Sequence, residues 1–244
     1  MKKLIVAFLL AASPMLGLAS GTIHLDDADI DLSDQASLQR GAKYFMNYCL
    51  SCHSAKYQRF NRMARDIGLT EQEVIDNLMF TTDKIGDTMD IAMTADKATA
   101  WFGNPPPDLS VIARARGVDY IYTYLRSFYL DETRPFGVNN HVFPDVGMPN
   151  VLWKLQGSQK AIYKTEKHNG EDVEVFEGFE PVSEGTLSSE EFDQVARDLT
   201  AFLSYVGEPI QMKRKSLGIW VLLFIIGFFV VAYKLKKEYW KDVH

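Results

Sequence analysis

Apolar residues recur at helical spacing in four stretches of this chain. Leu38, Gly41, Ala42, Phe45 and Tyr48 share one face of a helix that begins at Ser33 or Ser37. Thr70 with Glu73 forms a capping box ahead of Val74, Ile75, Leu78 and Met79, all expected to point inward. Asp119 is placed to cap a helix whose stripe is Tyr120, Ile121, Tyr124, Leu125 and Phe128. Ser188 with Glu191 opens another, with Phe192, Val195, Ala196, Leu199, Phe202 and Leu203 on one side and an end near Gly207-Glu208-Pro209. Met89 and Met93 also stand at i, i+4 spacing, a pair expected in a helical core. Gly41 inside a helix costs about 1 kcal/mol relative to alanine, so a close crossing of two helices is expected there.

Elsewhere the pattern changes. Lys160 to Phe176 alternates about Asn169-Gly170, the signature of a β-hairpin with a two-residue turn. Pro105, Pro106 and Pro107 forbid regular helix and predict a stiff extended wall after Trp101-Phe102-Gly103. Asp108 is then expected to cap a helix from Leu109 to Arg116, stopped by Gly117. Residues 131–150 read as a loop rich in Pro, Gly and Asn.

Leu217 to Tyr233 is an uncharged run between Lys213-Arg214-Lys215 and Lys234, Lys236 and Lys237, long enough for a membrane span. Trp220 and Tyr233 suit its interfaces. At the other end, Lys2 and Lys3, the apolar run Leu4–Ala12 and the stretch Leu18-Ala19-Ser20, which offers small residues for cleavage, read as an export signal. The expected organisation is a signal peptide at 1–20, an exported domain at 21–212, an anchor at 213–236 and a short tail at 237–244. Export puts the domain outside the cytoplasm and the tail inside.

Apolar residues make up 47% of the chain and charged residues 24%, the balance of a globular protein. The net charge of −6 argues against nucleic acid and for a basic partner. The acidic residues Glu171, Asp172, Glu174, Glu177, Glu180 and Glu184 crowd the second half of the hairpin and beyond. They read either as a solvated edge or as a steering field for such a partner.

The candidate chemistry lies in Cys49-Leu50-Ser51-Cys52-His53. This is the C-x-x-C-H spacing of c-type haem attachment. Residues three and four apart lie on one side of a helical turn. Two thiols can therefore add to the vinyl groups of one porphyrin while the imidazole meets the iron. A thioredoxin-like pair would need a βαβ setting, and a structural zinc site wants four ligands where the chain has no further cysteine to offer. Candidates for the second axial position are Met63, Met79, Met89, Met93, Met148 and Met212, with His141 and His168 as alternatives. Met148 is favoured, because Gly147 and Pro149 place it in irregular backbone that can bring sulfur to iron; Met89 and Met93 follow.

These residues carry a family resemblance. Leu38-Gln39-Arg40-Gly41-Ala42 precedes the haem motif. Trp101-Phe102-Gly103, Pro106-Pro107-Asp108-Leu109-Ser110, Arg114-Ala115-Arg116, Asp119-Tyr120 and Gly147-Met148-Pro149 follow in order, and one terminal span closes the chain. In this the chain resembles the cytochrome c1 family, the haem subunits of bacterial ubiquinol–cytochrome c oxidoreductases, from about Gly21 to its end. The resemblance implies a mainly α fold: a class I cytochrome c-like haem domain with loop and small β-hairpin insertions, plus one C-terminal transmembrane helix. It implies one covalently bound haem c, with Cys49 and Cys52 as attachment points and His53 and Met148 as iron ligands. Arg116 and Tyr120 would approach the propionates, and Trp101, Pro106 and Pro107 would line the pocket. It further implies a dimeric complex with cytochrome b in the bacterial inner membrane. Electrons would arrive from a Rieske iron–sulfur protein and leave to a soluble cytochrome c, with no substrate-turnover site on this chain. Delivery of electrons to a terminal oxidase or reductase is the alternative.

Overall fold

The structure is a computed structural model that describes residues 23–168 and 171–242. The expected export signal and the Asn169-Gly170 turn lie outside the described residues. After an extended segment, α1 spans Gln35–Tyr44 and passes into a π-helical turn, Phe45–Cys49. β1 (Ala55–Arg59), α2 (Phe60–Asp66), α3 (Glu71–Asn77) and β2 (Thr88–Met89) follow. Next come α4 (Ala95–Phe102), α5 (Ile112–Arg116) and α6 (Val118–Arg126), then β3 (Phe128–Leu130) and β4 (Val138–Asn140). The chain ends with α7 (Trp153–Gln156), β5 (Gly157–His168), β6 (Glu171–Glu184), α8 (Ser189–Gly207) and α9 (Gln211–Tyr239). The sheets are three antiparallel pairs, β1–β2, β3–β4 and β5–β6. The described chain is about half helical, as the mainly α reading expects.

The core is the crossing of α1 and α8. A Cβ built on Gly41 would run into the Asp198 carbonyl and lie 2.7 Å from Phe202 Cβ. The glycine therefore lets the two backbones meet, and Phe45 and Phe202 then pack at a ring separation of 5.5 Å. Asp198 is buried at this crossing, its side chain only 1% exposed. Ser37 Oγ donates to it at 2.7 Å, Arg40 Nε at 2.6 Å and Gln194 Nε2 at 2.8 Å. Burying an anion requires such partners. Asp34 caps α1, its Oδ1 accepting the N–H groups of Ala36 and Ser37. Both expected capping boxes form, at Thr70/Glu73 and Ser188/Glu191.

Several local expectations are revised. Met89 and Met93 do not share a helix: Met89 lies in β2 opposite Ala55, fully buried, and Met93 precedes α4. Strand pairing with β1 overrides a weak two-residue spacing. Ile75 is 40% exposed, because the short α3 turns only Val74 and Leu78 fully inward. Asp119 does not cap α6. Its Oδ1 instead accepts the Ala28 N–H at 3.0 Å, tying the N-terminal segment to the domain. The Asp108 helix begins only at Ile112, since Asp108 is drawn to partners in the segment after the haem motif. The expected loop at 131–150 contains β4, which returns to pair with β3. The hairpin is longer than its sequence pattern, and Lys160 faces Glu180 across it at 3.1 Å, so part of its acidic charge is offset locally.

α9 has 29 residues, a mean hydropathy of 2.4 over its most apolar window, and no buried residue. At 1.5 Å per residue it is about 44 Å long, enough to cross a hydrocarbon core of about 30 Å with a turn to spare at each end.

Candidate haem-binding site

A cavity of about 430 Å³ lies between the haem motif, the proline segment, α6, α8 and the loop 143–151. That size falls in the usual range for bound organic groups, roughly 300–1,000 Å³. Its wall is predominantly apolar and holds Cys49, Cys52, His53, Pro106, Pro107, Arg116, Tyr120 and Met148 together.

The π-helical turn begins the site. Leu50 N–H donates to the Phe45 carbonyl at 2.9 Å, a wider turn than an α-helix makes. Cys52 and His53 then both donate their N–H groups to the Cys49 carbonyl, at 3.0 and 2.8 Å. This single turn brings both thiols and the imidazole to one wall. Burial and the neighbouring Cys52 push the Cys49 thiol up to about 12.

His53 is oriented from outside its own turn. Its Nδ1 lies 2.8 Å from the Pro107 carbonyl oxygen. A carbonyl only accepts, so Nδ1 carries the proton and Nε2 keeps its lone pair free for a metal. Burial depresses the His53 value, against the opposing pull of the Pro107 bond and the Asp108 charge, which favours the neutral ring that a ligand must be. Asp108 pins the proline segment in place. It accepts from Ser54 Oγ at 2.7 Å, Lys56 N–H at 3.0 Å and Ser110 N–H at 2.8 Å. Burial pulls its carboxyl upward, but the hydrogen bonds from Ser110, Lys56 and Ser54 hold it below the usual carboxylate value.

Trp101 does not line the cavity. It is 62% exposed and sits edge-on to Phe102, which takes its expected place on the wall. Successive residues on a helix point about 100° apart, so α4 can turn only one of the two inward. Arg116 lies on the wall with its guanidinium 5.4 Å over the Tyr120 ring, and among the described residues no carboxylate pairs with it. Tyr120 stacks on Tyr124 at 6.1 Å, one helical turn along α6.

The methionine question is narrowed by geometry. Met63 and Met89 are fully buried in the core, and Met212 is exposed on α9. Met79 packs against the core, away from the cavity wall. His141 stacks on Phe176 at 3.7 Å, away from the cavity, and the His168 side chain lies outside the described residues. Of the candidates described, His53 and Met148 line the cavity. The Met148 loop is held by two buried asparagines. Asn140 Nδ2 donates to the Tyr124 carbonyl at 2.8 Å while its Oδ1 accepts the N–H groups of Val142 and Phe143. Asn139 Oδ1 accepts the Asp145 N–H at 2.9 Å. The Tyr124 hydroxyl donates to Met148 Sδ at 3.3 Å.

These residues fit a c-type haem. The thiols and a metal-ready imidazole come from one turn, a thioether lies on the same cavity, the lining is predominantly apolar, and a guanidinium with no carboxylate partner among the described residues is available for a carboxylate. Sequence reasoning missed Phe102, Phe143 and the α8 residues Leu199 and Leu203, which the α1–α8 crossing brings to the wall. It placed Tyr124 on an apolar stripe without assigning its hydroxyl a partner.

Comparison with known proteins agrees with this geometry. The cytochrome C1 family model matches residues 28–243. A cytochrome c1 of Allochromatium vinosum is 54% identical over the full length of both chains. A protein of Nitrosomonas europaea named ammonia monooxygenase gamma subunit is 47% identical, covering all of this chain and 98% of its own. A cytochrome b/c1 of Bradyrhizobium diazoefficiens is 27% identical over 86% of this chain and 34% of its own. With its haem-type cavity and C-terminal apolar helix, the chain belongs to the cytochrome c1 family of membrane-anchored, electron-transferring c-type cytochromes.

Proposed function

We propose that this chain carries electrons one at a time from a Rieske iron–sulfur protein to a soluble cytochrome c, inside a quinol-oxidising complex that also contains cytochrome b. Cys49 and Cys52 would hold the haem through their thiols, and His53 and Met148 would supply the nitrogen and sulfur donors to its iron. The observation that carries this reading is that His53 and Met148, distant in the chain, both line one predominantly apolar cavity. When bound, haem c supplies a one-electron iron couple. The protein's own residues do the rest. Pro107 holds the His53 tautomer, Arg116 offers charge to a propionate, and the apolar lining keeps water from the site, which favours the less charged state. A thioether ligand also raises the potential relative to two nitrogen ligands.

The export signal at 1–20 places residues 21–212 in the periplasm. α9 then holds the domain to the inner membrane, with the tail on the cytoplasmic side. The net charge of −6 suits a basic acceptor. The name of the Nitrosomonas relative, ammonia monooxygenase gamma subunit, supports a second assignment, the same kind of chain serving another oxidoreductase. Affinity purification of the full chain from its native membrane separates them. Recovery of a cytochrome b and a Rieske protein, in a dimer that reduces cytochrome c from quinol, supports the first. Recovery with a different oxidoreductase and neither of those subunits overturns it.

A further inference from the structure

The Tyr124 hydroxyl donates to Met148 Sδ at 3.3 Å. Tyr124 lies on the cavity wall and is half-buried, so its hydroxyl loses bulk water and retains this weak sulfur acceptor. A thioether sulfur has two lone pairs. The hydroxyl engages one of them and leaves the other.

We propose that Tyr124 is a positioning residue for Met148: its hydroxyl selects which sulfur lone pair is presented to the iron and weakens that sulfur as an electron donor. This rests on the reading of Met148 as an axial ligand. The two lone pairs of a methionine sulfur are not equivalent, because bonding through one or the other gives opposite handedness at sulfur. A proton held against one pair therefore selects a single handedness. The same proton draws electron density from sulfur. A poorer donor stabilises the ferric state less, so the potential rises.

The support on either side of the contact is rigid. Tyr124 is held in α6 by the stack with Tyr120 and by an edge contact with Phe128 at 5.2 Å. Its backbone carbonyl accepts from Asn140 Nδ2, and Asn140 Oδ1 in turn holds the N–H groups of Val142 and Phe143. The loop that carries Met148 is thus referenced to the same residue twice, once through backbone and once through the hydroxyl.

The experiment compares full-length, haem-loaded wild type with Tyr124→Phe, with 3-fluorotyrosine placed at position 124, and with Met148→Leu. Redox titration and proton NMR of the axial methionine methyl are the readouts. Tyr124→Phe keeps the ring and removes the proton. It is expected to shift the oxidised-to-reduced ratio at fixed potential about fivefold toward oxidised, ~41 mV at 59 mV per decade for one electron. It is also expected to split or broaden the methionine methyl signal as both configurations become populated. The fluorinated ring is a stronger donor of nearly the same shape and shifts the potential the opposite way. An unchanged potential and a single unchanged methyl signal in Tyr124→Phe overturn the inference. Should that variant fail to load haem, a potential unmoved by the fluorinated residue overturns it instead. Met148→Leu is the control: if its potential equals wild type, the ligand assignment itself fails, separately from the role of Tyr124.

Discussion

His53 Nδ1 donates to the carbonyl oxygen of Pro107 at 2.8 Å, joining points 54 residues apart in the chain. Proline lacks an N–H, so a proline run makes no helix and leaves its carbonyls available. Three consecutive prolines present one of them to the imidazole, and Asp108 fixes the run from its far side.

Asp108→Ala removes the acceptor of three donors and is expected to lower stability by about 1–3 kcal/mol at neutral pH. It should also reduce the fraction of chain that retains haem, because Pro107 is no longer held against His53. Chemical unfolding and haem content per polypeptide measure the two effects.

The same carboxylate sets a pH dependence. Its folded-state value lies below the ordinary 3.8. The stabilisation is therefore fully present above about pH 4 and is lost as pH falls through the lower, folded value. The stability gap between wild type and Asp108→Asn is expected to narrow as pH drops below about 4. Unfolding curves at a series of acid pH values test this, and a gap that stays constant contradicts it.

Gly41→Ala puts two expectations in opposition. Helix propensity alone predicts a gain of up to about 1 kcal/mol. The added Cβ meets the Asp198 carbonyl and Phe202 Cβ, and overpacking of that kind costs about 1–3 kcal/mol or more. The backbone contact decides the sign, and net destabilisation is the expected result by thermal unfolding.

Arg40 and Asp198 should respond unequally. The Asp198 side chain is 1% exposed and that of Arg40 is 45% exposed. Arg40→Ala strands a buried anion with only Ser37 and Gln194 as donors and is expected to cost about 3 kcal/mol. Asp198→Asn leaves an arginine that water can reach and is expected to cost about 1–2 kcal/mol. Equal losses in denaturant unfolding would argue that the charge of Asp198 is compensated by its neutral partners alone.

Truncation before Lys213 removes all but the first two residues of α9 and leaves the α1–α8 crossing and the cavity wall intact, since α9 contributes to neither. The expected product stays in the soluble fraction with its haem absorption unchanged. A haem-bearing product that still sediments with membranes would reveal a second attachment.

The sequence alone determined what local rules govern. The capping boxes at Thr70 and Ser188, the uncharged run from Leu217, the C-x-x-C-H turn and the glycine at position 41 were all legible. Each depends on residues within a turn or two of one another, or on a side chain whose absence has one main use. Tertiary structure alone decided which residues meet. Trp101 and Phe102 are neighbours in sequence, and only the orientation of α4 chose Phe102 for the cavity. Met89 and Met93 had helical spacing, and pairing with Ala55 made Met89 part of a strand. Asp119 and Asp108 looked like helix caps, and more distant donors claimed both carboxylates. A short polar side chain can bond to any donor within reach, and sequence spacing does not say which donor the fold will bring there.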